Sequence, residues 1–306
     1  MNRFKWITFI CLIIVFQQNE AKSQLLENSQ LTDILNYSIS VNISDNSDSV
    51  DCVAVIRLRA LRDYKIFSLD LENPKSNGKG MLVHEVLKGK KNLAFIQFAG
   101  HLEIHDSIET EAEETVMYVI RYSGIPSDGL IISKNKFGKR TFFADNWPER
   151  ARCWFPCNDY PADKATVDFN ITAPTHYQVI SNGRLVKKEP KGIGSYLWKW
   201  KEEVPISTKV MVFGAAEFAV KTDSARSNLP IQSWVYEDNK IQGWLDYSPA
   251  TAIVDSFIRL IGKFPYEKLA NVQSTTIYGG MENASCSISL DGSATSHTAT
   301  SSINPE

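Results

Sequence analysis

Tyr37-Ser38-Ile39-Ser40-Val41-Asn42-Ile43-Ser44 alternates without exception, with Tyr37, Ile39, Val41 and Ile43 on one side of an extended chain and four polar residues on the other. Successive side chains of a strand point to opposite faces, so the pattern predicts a strand with one buried and one wetted face. Shorter strand-like runs follow at 53–58, 66–71, 81–87, 93–98, 116–122, 141–144, 167–171, 178–181, 196–200 and 210–213. Turn chemistry separates many of them, as in Asn73-Pro74, Asn77-Gly78, Ser127-Asp128-Gly129 and Asn182-Gly183. Closely spaced strands without a long helical pattern predict a mainly β chain, with a β-sandwich over residues 25–225.

The period then changes. Ser248 is placed to cap a helix, Pro249 suits its first position, and Ile253, Val254, Phe257, Leu260 and Ile261 recur at helical spacing. Gly262 and Pro265 end it, and a strand-like run at 269–277 leads into Tyr278-Gly279-Gly280-Met281-Glu282-Asn283. Residues 230–306 therefore read as a second, mixed α/β unit, with the boundary between about 220 and 235. Ten of the 22 residues from Ser285 to Glu306 are Ser or Thr, which predicts a loop or disordered tail over 285–306.

The first 23 residues have the form of a secretory leader: Arg3 and Lys5, then an apolar run over 6–16, then Ala21 and Ser23 at a plausible cleavage point. The apolar run is well short of the roughly 20 residues that span a bilayer. Export to the periplasm or the cell exterior is the expectation, with membrane attachment only through an uncleaved leader. Beyond the leader the chain carries 30 basic and 34 acidic side chains, which gives no reason to expect nucleic acid as a partner. Cys52, Cys153, Cys157 and Cys286 are too few for a disulfide-dense scaffold, so buried thiols or a single disulfide are expected.

Glu282 stands behind two glycines at the end of a strand. Paired glycines let a ligand approach the backbone, and a carboxylate beside such a loop is a natural counter-ion for an ammonium group. Spacing alone favours a solvated carboxylate on a glycine turn, because Gly-Gly turns are common. Gly279-Gly280-Met281-Glu282-Asn283, however, resembles the GxMEN motif of the aminopeptidase N-like zinc metallopeptidases. The block from Pro148-Glu149-Arg150-Ala151-Arg152 through Phe155-Pro156-Cys157-Asn158-Asp159 to Ala165, with Ala173-Pro174 after it, resembles the same family's N-terminal domain. The run Gly262-Lys263-Phe264-Pro265-Tyr266-Glu267-Lys268-Leu269 is similar to the family's approach to that motif.

The resemblance implies a β-sandwich followed by a thermolysin-like catalytic domain, with Zn2+ held by an H-E-x-x-H helix and a Glu beyond it. It further implies that Glu282 binds the free α-amino group of a peptide, that the backbone of Gly279 and Gly280 runs beside that peptide, and that Met281 and Asn283 shape the loop. Many relatives place a Gln or Glu just before the proline matching Pro148. Here Asp145 is a possible substitute, and Trp147 either stacks on the substrate or packs the domain junction.

The sequence contains no H-E-x-x-H. His101-Leu102-Glu103-Ile104-His105 has the histidine spacing but a displaced Glu, and it lies among predicted strands, where residues four apart do not share a helical turn. No metal ligand and no catalytic residue is assigned. The expectation is a truncated or split zinc aminopeptidase that keeps its amine-recognition loop and is inactive alone. The alternative is a non-catalytic peptide-binding or interaction module. A sandwich presenting Trp198 and Trp200 to carbohydrate is a weaker third reading, because residues i and i+2 share one face and more readily pack a core.

Overall fold

The computed structural model describes residues 31–225, 228–276 and 279–290. The leader expected at 1–23, the pair Ile277-Tyr278 and the tail beyond residue 290 lie outside the described residues. In chain order the strands are β1 (Thr32–Asn42), β2 (Val50–Ala60), β3 (Tyr64–Asp70), β4 (Gly80–Lys88), β5 (Lys91–Asn92), β6 (Ala94–Phe98), β7 (His101–Thr110), β8 (Thr115–Ile125), β9 (Leu130–Lys134) and β10 (Arg140–Ala144). They continue as β11 (Ala165–Pro174), β12 (Gln178–Ser181), β13 (Arg184–Pro190), β14 (Ser195–Ile206), β15 (Phe213–Ala216), β16 (Phe218–Ser224) and β17 (Pro230–Tyr236). Helices α1 (Lys240–Tyr247) and α2 (Ala250–Ile261) precede β18 (Leu269–Ser274), β19 (Gly280–Asn283) and β20 (Cys286–Leu290).

The alternation in β1 is realised as burial: Tyr37, Ile39 and Val41 are fully enclosed, while Ser38 and Ser40 are half-buried. β1 lies inside an eight-stranded sheet ordered β13-β14-β11-β1-β2-β8-β4-β5, parallel to β11 and antiparallel to β2. Two smaller sheets, β3-β7-β6 and β12-β15-β10-β9, share a buried core with it. Rings join the sheets: Phe67 of β3 meets Tyr118 of β8 with centroids 4.8 Å apart, and Phe213 of β15 meets Phe169 of β11 at 6.0 Å. Trp154 is wholly buried against both Phe169 and Phe213, and its indole N–H donates to Asn146 Oδ1 at 2.8 Å. Trp198 and Trp200 sit in the same core, each 3% exposed, which removes them as a carbohydrate platform.

A fourth sheet is ordered β16-β17-β18-β20-β19. Its central strands β17, β18 and β20 are parallel, and the crossover from β17 to β18 carries the two helices, the usual way to join parallel neighbours. Residues of this sheet, including Trp234, Tyr236, Val272 and Ile288, belong to the sandwich's own core, so the two units share buried surface.

The structure corrects several sequence expectations. Ser248 does not cap the main helix; its Oγ donates to Leu245 O at 2.7 Å at the end of α1, and Pro249 precedes α2. Helix α1 was not anticipated because Gly243 is its buried residue, and a Cβ there would lie 2.6 Å from Val235 Cγ1. A glycine contact leaves no apolar stripe in the sequence. In α2 only Val254 is buried, whereas Ile253, Phe257, Leu260 and Ile261 are more than half exposed. The run at 210–213 is a single helical turn, Thr208–Val210, followed by β15. The tail expected to be irregular from Ser285 onward instead supplies β20, which lies between β18 and β19 with Cys286 and Ile288 buried. Its alternation of Cys286, Ile288 and Leu290 with serines is a strand pattern masked by serine-rich composition. All four described cysteines are free thiols.

Gly183 has φ +68°, and a Cβ there would stand 1.9 Å from Lys201 O, so Gly183→Ala is expected to cost about 2 kcal/mol or more, read as a lower urea midpoint. Burial raises the Asp163 carboxyl to about 6, even though Asn158 and the Ile34 N–H both donate to it. Between the usual value of 3.8 and about 6 the folded chain holds a proton that the unfolded chain has released, so stability from this group falls as pH rises across that window. Asp163→Asn should therefore gain stability relative to the parent chain from about pH 4 to 6, measured by denaturation at each pH; parallel curves would contradict this.

Candidate functional site

Among the described residues β19 is the outermost strand of its sheet, paired antiparallel with β20: Gly280 faces Ser289, Met281 faces Ile288, Glu282 faces Ser287 and Asn283 faces Cys286. Alternation then sorts the motif. Met281 and Asn283 point with Ile288 and Cys286 toward the covered face, and Asn283 is 5% exposed. Gly280 and Glu282 point with Ser287 and Ser289 to the opposite face, and both are exposed. Nothing lies within 4 Å of where a Gly279 Cβ would be, and a Cβ on Gly280 would come 3.7 Å from Glu282 Oε1. The two glycines thus leave open the backbone and the space beside the carboxylate. Asn283 Nδ2 donates back to Met281 O at 3.3 Å, which fits a loop-shaping role.

The β19–β20 turn is Ala284-Ser285, with Ser285 in the left-handed region at φ +58°. This turn is tied to the sandwich. Asn182 Nδ2 donates to Ala284 O at 2.6 Å and to Val210 O at 2.9 Å, while Asn182 Oδ1 accepts the Val212 N–H at 2.6 Å. The Gly183 N–H donates to Ser285 Oγ at 2.7 Å, and Ser285 O accepts the Ala270 N–H at 2.9 Å. Lys268 is 3% exposed; its Nζ donates to Ser181 O at 2.8 Å, lies 3.3 Å from Ser285 Oγ, and stands 5.1 Å from the centroid of the Trp200 ring. Burial pulls the Lys268 ammonium down to about 8, against the opposing effects of Cys286, Glu202 and Glu267.

The strand that approaches the motif is tied at its other end as well. Thr276 Oγ1 donates to Asp145 Oδ2 at 2.7 Å, and Thr275 Oγ1 lies 2.7 Å from Ser133 Oγ of β9. Asp145 is 3% exposed, with Oδ1 2.8 Å from an Arg150 guanidinium nitrogen. Asp145 is thus enclosed by Arg150 and Thr276, and it ties the segment before the motif to the sandwich. Trp147, two residues on, is 45% exposed.

The described residues do not fit a zinc ion. No group of three or more His, Cys, Asp or Glu side chains suited to a metal gathers among them. His105 Nε2 lies 2.7 Å from Glu103 along strand β7, and His101 Nδ1 lies 3.3 Å from Asp70 of the neighbouring β3.

A family model described as the peptidase M1 N-terminal domain matches residues 35–210. Leucine aminopeptidase 2 of Neurospora crassa is 31% identical over 147 residues, covering 44% of this chain and 20% of that protein. Glutamyl aminopeptidase of Rattus norvegicus is 24% identical over 239 residues, covering 76% of this chain and 24% of that one. Among solved structures, a mutant M1 zinc metallopeptidase from Deinococcus radiodurans superposes with a TM-score of 0.70 at 16% identity, over 87% of this chain and 61% of that chain. A two-domain M1 zinc metallopeptidase mutant bound to L-tryptophan gives 0.72, also at 16% identity, over 86% and 61% of the two chains. The chain therefore spans about a fifth to a quarter of the length of these curated relatives.

The junction carries a pH signature. Between about 8 and 10.5 the unfolded chain keeps a proton on Lys268 that the folded chain has lost, so stability from this group rises with pH across that window. Against Lys268→Met, the parent chain is expected to gain up to about 3 kcal/mol from pH 8 to 10.5. Denaturation curves at four or five pH values would show it, and a constant difference would refute it.

Proposed function

Because this chain belongs to the peptidase M1 family, we propose that its 279–283 segment receives the free amino end of a peptide, with Glu282 as the counter-ion of the α-ammonium group. The observation that carries the reading is the exposure of Glu282 on an open strand edge, beside two glycines whose backbone is uncovered. An extended peptide can add to such an edge through main-chain hydrogen bonds. A carboxylate then selects for the terminus, because a charge-assisted bond to an ammonium is strong and an internal peptide bond offers no cation.

The step assigned to these residues is recognition. Asn283 fixes the strand's covered face, Gly279 and Gly280 keep the approach clear, and Glu282 supplies the charge. In a complete aminopeptidase the zinc ion would supply a bound water for hydrolysis, but none of the described residues is assigned to hold it. Removal of single residues from peptide amino termini is the whole-protein activity to which this recognition would contribute. Export by the leader at 1–23 would set the reading outside the cytoplasm.

Calorimetry with Ala-Ala-Ala and its N-acetylated form at pH 7 tests the assignment. The free peptide is expected to bind and the acetylated form to bind at least about tenfold more weakly, with Glu282→Gln erasing most of that difference. Equal affinity for the two peptides, or a Glu282→Gln chain that still discriminates, would overturn it.

A further inference from the structure

We propose that Lys268 is a positioning residue, holding the β19–β20 hairpin, and Glu282 with it, in place against the sandwich. The proposal rests on the reading of Glu282 as the amine receptor but is decided by the hairpin itself.

Enclosing an ammonium is costly, and an apolar side chain of similar length would fill the same space without that cost. What the ammonium adds is reach. Its Nζ donates to Ser181 O of β12 at 2.8 Å and lies within 3.4 Å of both the carbonyl and the hydroxyl of Ser285. One side chain thereby touches a sandwich strand and the hairpin turn at once. The turn needs such support, because a non-glycine residue in the left-handed region is held at a cost of about 1 kcal/mol. Ser285 is that residue, and the Gly183 N–H and Lys268 converge on its hydroxyl. Glu202, buried beside them, Glu267 and Cys286 are the titratable groups facing the ammonium.

At the opposite end of β19 the described side-chain restraint lies further from the strand, in the bond from Thr276, four residues before Gly280, to Asp145. Gly279 and Gly280 carry no side chains, and among the described residues β19 has one neighbouring strand. Glu282 lies three residues from Ser285, so a displacement of the turn carries its carboxylate with it. The lysine fixes a distance between two units of the fold, and Glu282 is read out from that fixed point.

The test uses the whole chain with Lys268→Met and, separately, Ser285→Ala. Amide hydrogen exchange read by mass spectrometry over 280–290 is expected to quicken by about tenfold or more in Lys268→Met and by less in Ser285→Ala, while exchange over 165–174 in β11 stays unchanged. Uniform quickening across both segments, or no change in the hairpin, would overturn the proposal. Should Lys268→Met fail to fold, Ser285→Ala alone decides, since it leaves the lysine in place. Calorimetry with Ala-Ala-Ala separates positioning from simple loss of stability: a mispositioned Glu282 raises Kd, whereas a partly unfolded sample binds fewer equivalents at the same Kd. If the parent chain binds neither Ala-Ala-Ala nor its acetylated form, the amine-receptor reading fails on its own, and the exchange measurement still settles the role of Lys268.

Discussion

The amide of Asn182 is the point on which the arrangement turns. It is 1% exposed and uses both ends, accepting the Val212 N–H and donating to the carbonyls of Val210 and Ala284. Buried polar groups must find partners, and here the partners lie on two parts of the fold, the segment that leads into β15 of the sandwich and the turn between β19 and β20. Satisfying one side chain therefore fixes the position of the small sheet's hairpin relative to the sandwich. Lys268 and Ser285 elaborate the same contact, and Thr276 with Asp145 repeats it at the other side of the loop. Removing either partner of such a pair would leave the other unpaired in the interior, which costs more than the net worth of the bond.

Much of the fold was legible because period-2 burial writes itself into sequence. Tyr37, Ile39 and Val41 alternate with serines, and they are fully buried. Trp198 and Trp200, two apart, share a core face. Where burial was achieved otherwise, the sequence was silent. Gly243 packs a helix by having no side chain, and β20 hides two buried positions within a serine-rich run. Helix α2 shows the opposite case: its apolar spacing marks a helix correctly, yet most of that stripe does not face the sheet.

The site divides in the same way. The carboxylate and the two bare glycines were visible in the motif, but the sequence reads them as a loop after a strand, whereas 280–283 form β19, whose alternation turns Asn283 inward. The partners that hold the motif were not readable. Asn182 and Ala284 are 102 residues apart, as are Gly183 and Ser285, and no local pattern links an Asn-Gly turn to a hairpin so distant. Asp145 is a related case: its acidity is visible in sequence, but its enclosure by Arg150 and Thr276 is a tertiary fact.

An uncovered strand edge does not choose its guest. The ladder that would accept a peptide at β19 is equally open to β19 of a second copy, and strands of this kind are where soluble proteins join into aggregates. Glu282 changes that balance. In the antiparallel self-pairing register centred on Glu282, two carboxylates face each other across the ladder and repel. The same negative charge that suits an incoming ammonium thus acts as a gatekeeper for the chain's own solubility, discouraging the partner that every molecule meets most often, its twin.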